Sequence, residues 1–374
     1  MKKIIVALIC LSPFLLSCNA QKNSSVVAEI NPFKYTSSKK VIAENGAVVS
    51  AHPLASKVGV VILKMGGNAV DAAIATQLAL AVVYPAAGNI GGGGFLVGRL
   101  SNGELVSIDY REKAPGSASR DMYIDETGKA RTDLSQNGHL AGGVPGTVSG
   151  LFTSHQYAKL PFSKLIQPAI DLAEKGFAIT SGEARAFNSI QESLKKYNSV
   201  MPAFVKQTPW KEGDTLIQTD LANTLKRIQK NGAAGFYEGE TANLLVAEMK
   251  RGNGIISLED LKNYKAKPRT PQTFNYKGYK IVGMGMPSSG GLLMAQMMKM
   301  IEGRGIDKMG FHSVQAVQLM TEVQRRAYAD RAEYMGDADH YNVPVEMLAS
   351  DKYLKERMKS YKNDKATPST EIKP

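Results

Sequence analysis

The stretch from Gly66 to Phe95 constrains this chain more than any other: Gly66-Gly67-Asn68, then AVDAAIATQLALAVVYPAAGN, then Ile90 and four glycines, Gly91 to Gly94. Asn68 is a helix cap that accepts a hydrogen bond from a free backbone N–H, and Asp71 sets negative charge on the first turn. From Ala69 to Val83 almost every residue is Ala, Val, Ile or Leu, so no face is left for water, and 15 residues are too few to span a bilayer. The segment therefore reads as a core helix. Tyr84-Pro85 stops it. The glycine run is expected to use positive φ angles and to let the backbone approach another group with no side chain between them.

The flanking chain alternates helices and hairpins. Pro53 at a first helical position predicts a helix to about Met65, and Ala47–Ser50 is read as a short strand before it. Two strands, Phe95–Leu100 and Glu104–Arg111, turn at Asn102-Gly103, which leaves Arg111 where a strand exits its sheet. A polar loop, Asp121–Gly138, precedes predicted helices at Thr147–Tyr157, Lys164–Lys175, Glu183–Tyr197, Leu221–Lys230 and Glu240–Arg251. Ser257-Leu258-Glu259-Asp260 resembles a capping box. A second hairpin, Gln272–Tyr276 with Tyr279–Val282, turns at Lys277-Gly278, and further helices are read at Gly291–Glu302, Ser313–Tyr334 and Asp351–Ser360. No linker or internal repeat divides residues 41–374, which we read as one domain.

Met1-Lys2-Lys3 followed by the apolar run Ile4–Leu16 has the pattern of an export signal over residues 1–17. Leu15-Leu16-Ser17-Cys18 looks like a bacterial lipobox, so Cys18 is expected to be lipidated and to anchor the protein to a membrane; ordinary cleavage with an incidental cysteine is the alternative. The other cysteine, Cys10, lies within the signal, so disulfides and a cysteine nucleophile are excluded for the domain. Residues 18–40 read as a tether. The formal net charge of +12 falls to +10 without Lys2 and Lys3, and its basic residues are scattered without interleaved aromatics, which argues against nucleic acid as a partner.

Five histidines, His52, His139, His155, His312 and His340, show no metal-ligand spacing, so no metal is expected. The glycine run has no phosphate-loop register and leads into a strand, so close packing around a site wall is the better reading. Ser37-x-x-Lys40 and Ser193-x-x-Lys196 lack the companion motifs of serine-lysine hydrolases. Ser288-Ser289 opens a helix, where capping is favoured over contact with substrate. Met294, Met297, Met298 and Met300 read as core filling. Arg111 has the rigid fork that grips a carboxylate in two places, although by spacing alone it would pair with Asp109 or Glu112.

The runs GGNAVDAAIA, YPAAGNIGGGGF and Ile108-Asp109-Tyr110-Arg111-Glu112-Lys113-Ala114-Pro115 closely resemble the γ-glutamyltranspeptidases, or glutathione hydrolases. The likeness continues through Gly142–Thr147, Pro287–Gly291 and Ala327–Asp337. It implies the α/β four-layer αββα sandwich of N-terminal nucleophile hydrolases, here the large-subunit part without the small-subunit strands. It also implies transfer of a γ-glutamyl group from glutathione or related amides to water, an amino acid or a peptide. Arg111 would hold the substrate carboxylate, and no cofactor is required. The family's nucleophile is the first threonine of a small subunit, in a Thr-Thr-His-[Tyr/Phe]-Ser signature that residues 1–374 do not contain. We therefore expect a small catalytic subunit as partner, no activity from this chain alone, and apolar faces such as that of Ala69–Val83 left uncovered. A β-lactam side-chain acylase of the same architecture and a non-catalytic envelope lipoprotein are the alternatives.

Overall fold

The computed structural model describes residues 30–37 and 39–374, so the stretch read as an export signal, Cys18 and the first part of the expected tether lie outside the described residues. A proline-started helix, α1 (Pro53–Lys64), packs antiparallel to α2 (Ala69–Val83). The start of α2 is a full capping box. Asn68 Oδ1 accepts from the amides of Val70 (2.8 Å) and Asp71 (3.0 Å), while Asp71 Oδ2 accepts from the amide of Asn68 (2.7 Å). Asp71 is fully buried and also accepts from Lys159 and Leu160, so the same carboxylate fixes a distant loop.

Eleven of the 15 residues of α2 are buried. Helices α4 (Thr147–His155) and α5 (Phe162–Lys175) cover it together with α1. Most of α2 is thus covered by this chain's own helices, while one stripe of it, Ala69, Ala72, Ala73, Thr76, Gln77 and Leu80, borders a groove, so the expected uncovered face is confined to that stripe. α5 in turn packs on α7 (Thr219–Asn231), which extends the same core.

Strands β1 (Phe95–Arg99) and β2 (Leu105–Asp109) form the first hairpin, and a two-residue strand, Lys267–Pro268, adds to β2. The second hairpin, Gln272–Tyr276 with Tyr279–Gly283, turns through Lys277 and Gly278 at φ 46° and 84°. It lies on the helix Gly290–Ile301. There the ladder and helix come so close that a Cβ on Gly283 would stand 2.8 Å from the Cα of Gly291. A separate core joins that helix to the long helix Val314–Tyr334 and to Asp351–Arg357 through Leu293, Met300, Leu319, Val323 and Leu354.

Residues 47–50 form no strand. A strand exists through its ladder, and no described segment pairs with them; Val49 is 93% exposed. Two further corrections are smaller. The segment read as a tether is anchored at its end, with Ile30 buried and the Tyr35 hydroxyl donating to the Ala178 carbonyl at 2.7 Å. The loop 121–138 carries one short helix, Thr132–Gln136. Among the described residues no helix is long and apolar enough to cross a membrane.

Candidate functional site

The first hairpin's outgoing strand delivers Asp109-Tyr110-Arg111-Glu112-Lys113 to a cavity of about 330 Å³. The cavity lies where the small sheet meets the second core. Its other walls come from residues 264–269, from Met286, Pro287 and Ser289 before a helix, and from the end of the long helix at Arg331–Asp339.

Tyr110 is the fixed point of this wall. The residue is 5% exposed and its hydroxyl donates to Gln77 Oε1 (3.1 Å) on α2. Burial pushes the phenol above its ordinary pKa, partly offset by that hydrogen bond. Helix α4 presses its Gly150 against the ring, where a Cβ would lie 2.1 Å from a ring carbon.

The glycine run closes on the same segment. None of Gly91 to Gly94 adopts a left-handed φ, which corrects the expected use of these residues. Their need is for space: a Cβ on Gly93 would sit 2.6 Å from the Tyr110 carbonyl oxygen, and one on Gly92 would sit 3.0 Å from Glu112 Oε1. Asn89 Oδ1 pins the loop by accepting from Gly92 N and from the Thr147 hydroxyl. The Gly92 carbonyl accepts from the amides of Gly146 and Thr147 at the start of α4.

Arg111 lines the cavity and is exposed. Its neighbours in sequence do not neutralise it. Asp109 Oδ1 accepts from the Arg111 backbone N–H (3.0 Å), and its Oδ2 accepts from Nε and Nη2 of Arg269 at 3.1 and 2.9 Å. Arg269 also forks onto Asp339 at 2.6 and 3.0 Å, and Lys267 donates to Asp339 at 2.7 Å. These bonds hold the Asp339 carboxyl well below the usual carboxylate range, the Arg269 bond foremost, and raise the Arg269 guanidinium in return. The Arg111 carbonyl accepts from the Tyr264 hydroxyl at 2.6 Å. Both backbone sides of Arg111 are thus tied while its guanidinium makes no ion pair with any described residue.

Sequence reading placed Arg111 here and missed the brace behind it. Arg269 and Asp339 stand 160 and 230 positions from Asp109, and no local pattern marks them. Ser289 lies on the cavity wall, where its hydroxyl accepts from Arg331 Nε (3.1 Å); it makes no side-chain cap. Ser288 Oγ accepts from the Gly290 amide at 3.3 Å. The four Met side chains divide, with Met300 buried in the second core and Met294 43% exposed. The histidines stand apart: His52 caps α1, His155 is within hydrogen-bond distance of Leu160 O, and His139 pairs with Glu248. No cluster of metal-ligating side chains occurs among the described residues.

A family model described as gamma-glutamyltranspeptidase matches residues 55–374. The chain belongs to that family. A glutathione hydrolase proenzyme of Pseudomonas sp. strain A14 is 44% identical over 335 residues, 89% of this chain and 58% of that relative. The Escherichia coli K12 glutathione hydrolase proenzyme is 43% identical, with 89% and 58% covered. The chain therefore spans somewhat over half the length of those relatives. The crystal structure of Helicobacter pylori gamma-glutamyltranspeptidase superposes with a TM-score of 0.87 at 45% identity, covering 90% of this chain and 97% of that one. The fold is accordingly the α/β fold of the N-terminal nucleophile hydrolases.

Proposed function

We propose that this chain is the substrate-holding part of a gamma-glutamyltransferase, or glutathione hydrolase, with Arg111 gripping the α-carboxylate of the γ-glutamyl group. One observation carries the reading. Arg111 is fixed at its backbone and its guanidinium makes no ion pair with any described residue, while Asp109 is held by Arg269. A planar fork with no protein partner at a cavity wall suits a bidentate carboxylate.

The attacking group in this reading is a threonine outside residues 1–374. Its oxygen adds to the γ-carbonyl as its own α-amine or a bound water takes the hydroxyl proton; the amide C–N bond then breaks, the amine leaves with that proton, and the acyl-threonine passes its γ-glutamyl group to water, an amino acid or a peptide. The remaining strands would seat in the groove of about 1110 Å³ bordered by residues 43–50, α1, α2 and Phe95. Val49, 93% exposed on the border of that groove and in no ladder with any described residue, supports that placement. We also propose export and lipid attachment at Cys18.

The test uses the assembled enzyme and γ-glutamyl-p-nitroanilide. Arg111→Ala should cost about 2 to 5 kcal/mol in kcat/KM, the loss of one partner from a buried charge pair once substrate covers it. Arg111→Lys should recover little, since an ammonium has no fork. Activity of Arg111→Ala within about twofold of wild type would end the assignment. The purified single chain should release no glutamate from glutathione; release that Arg111→Ala abolishes would place the nucleophile within these residues.

A further inference from the structure

Beyond the Arg111 wall the site does not end. A second cavity, of about 490 Å³, is bordered by Lys113, Ser117, Val144, Ser257, Asn263 and Tyr264, and it shares Lys113 and Tyr264 with the first. A substrate held at Arg111 thus has room to continue past Tyr264.

The charges along this path are unequal. Six cationic side chains and four carboxylates line the first cavity. Lys267 and Arg269 are spent on Asp109 and Asp339, and Arg331 donates to Ser289. Lys113 pairs with no carboxylate among the described residues, although Glu112 is its neighbour and Glu259 and Asp260 border the second cavity. Asp260 is occupied in its own capping box and by the Gly116 amide. The Lys113 ammonium instead rests 5.5 Å from the centre of the Tyr264 ring. That contact holds a cation in place without neutralising it. Tyr264 in turn donates to the Arg111 carbonyl, so one ring touches both the Arg111 backbone and the Lys113 ammonium.

Arg111 and Lys113 lie two residues apart, at most about 7 Å between their Cα atoms. Lys113 is held by paired backbone hydrogen bonds with Val144, at 2.7 and 3.3 Å, so its position is as fixed as that of Arg111. Two cationic residues with tied backbones, neighbours on the border of two cavities, suit a ligand with a carboxylate at each end of a short chain.

We propose that Lys113 binds a second substrate carboxylate, the free C-terminus of the peptide portion of a γ-glutamyl peptide. The site then selects γ-glutamyl peptides ending in a carboxylate over γ-glutamyl amides and anilides. The same position serves the leaving peptide and an incoming peptide acceptor, which occupy one place in forward and reverse transfer. This inference rests on the reading of Arg111 given above.

The test compares, in the assembled enzyme, glutathione, glutathione esterified with ethanol at its glycyl carboxylate, and γ-glutamyl-p-nitroanilide. Wild type should favour the free acid over the ester by about fivefold in kcat/KM, the size of one exposed ion pair. Lys113→Met should bring that ratio near one through KM, and Lys113→Arg should keep most of it. The preference should also weaken with added salt in wild type and be insensitive to salt in Lys113→Met. A wild-type ratio within about twofold of one, or a wild-type ratio retained by Lys113→Met, overturns the proposal. Turnover of the anilide alongside such a result confines the failure to Lys113. Turnover of none of the three refutes the γ-glutamyl reading and this inference with it.

Discussion

Replacing Arg269 with methionine tests the brace behind the candidate site. The substitution keeps most of the side chain's bulk and removes both hydrogen bonds to Asp109 Oδ2, at 2.9 and 3.1 Å, and both to Asp339. Asp339 retains Lys267, whereas Asp109 retains only the Arg111 amide. The Arg269 and Asp109 side chains are 16% and 9% exposed. At an effective dielectric of about 20, unit charges 2.9 Å apart attract by roughly 6 kcal/mol before desolvation. Orphaning one member of a buried pair costs about 3 to 5 kcal/mol, and the open cavity beside this pair places it lower, at about 2 to 3 kcal/mol. Urea unfolding at neutral pH measures the loss. Arg269→Met with Asp109→Asn should recover more than half of it, because the second change removes the unpaired charge. A single-variant loss under about 0.5 kcal/mol, or a double variant no better than the single, would show that Asp109 does not depend on Arg269.

Gly150→Ala should destabilise by about 1 to 3 kcal/mol or more, since the added methyl would meet the buried Tyr110 ring at 2.1 to 2.4 Å. Gly91→Ala, with open space at its Cβ and no left-handed φ, should change stability little, and equal thermal shifts for the two would refute the contact argument. Glu248 has its pKa held down to about 2 by hydrogen bonds from Arg251 first and His139 second. A carboxylate depressed in the folded state stabilises above its unfolded value of 4.5 and loses that stabilisation as pH falls toward 2. The stability gap between wild type and Glu248→Gln should therefore narrow across that window, and a gap that widens on acidification would contradict the assignment. Cells fed a palmitate analogue should label wild type and leave Cys18→Ser unlabelled; absence of label from both would remove the lipid anchor.

The helix Ala69–Val83 was legible almost to the residue, since its cap lies within three positions of its start and its apolar residues leave no wet face. Both hairpins were legible for the same reason. Their turns need glycine at φ near 84–89°, and Gly103 and Gly278 supply it. The placement of Arg111 at a strand exit follows from the first of those hairpins together with the family motif. Local chemistry of this kind acts over three or four residues and is written into the sequence directly.

What remained was decided at long range. The glycine run was expected to serve by its dihedral freedom, but it serves by contact with Tyr110 and Glu112, whose approach no local pattern specifies. Residues 47–50 have strand-like composition and no strand, because a ladder needs a partner and none of the described residues supplies it. Most of all, spacing paired Arg111 with Asp109 or Glu112. Tertiary structure gives Asp109 to Arg269, 160 residues on, because the second strand and the segment 267–269 lie side by side and Arg269 is already fixed there by its backbone bond to Ser107. Sequence and family motif together put Arg111 at a strand exit; the fold spends a different arginine on Asp109, and Arg111 makes no ion pair with any described residue.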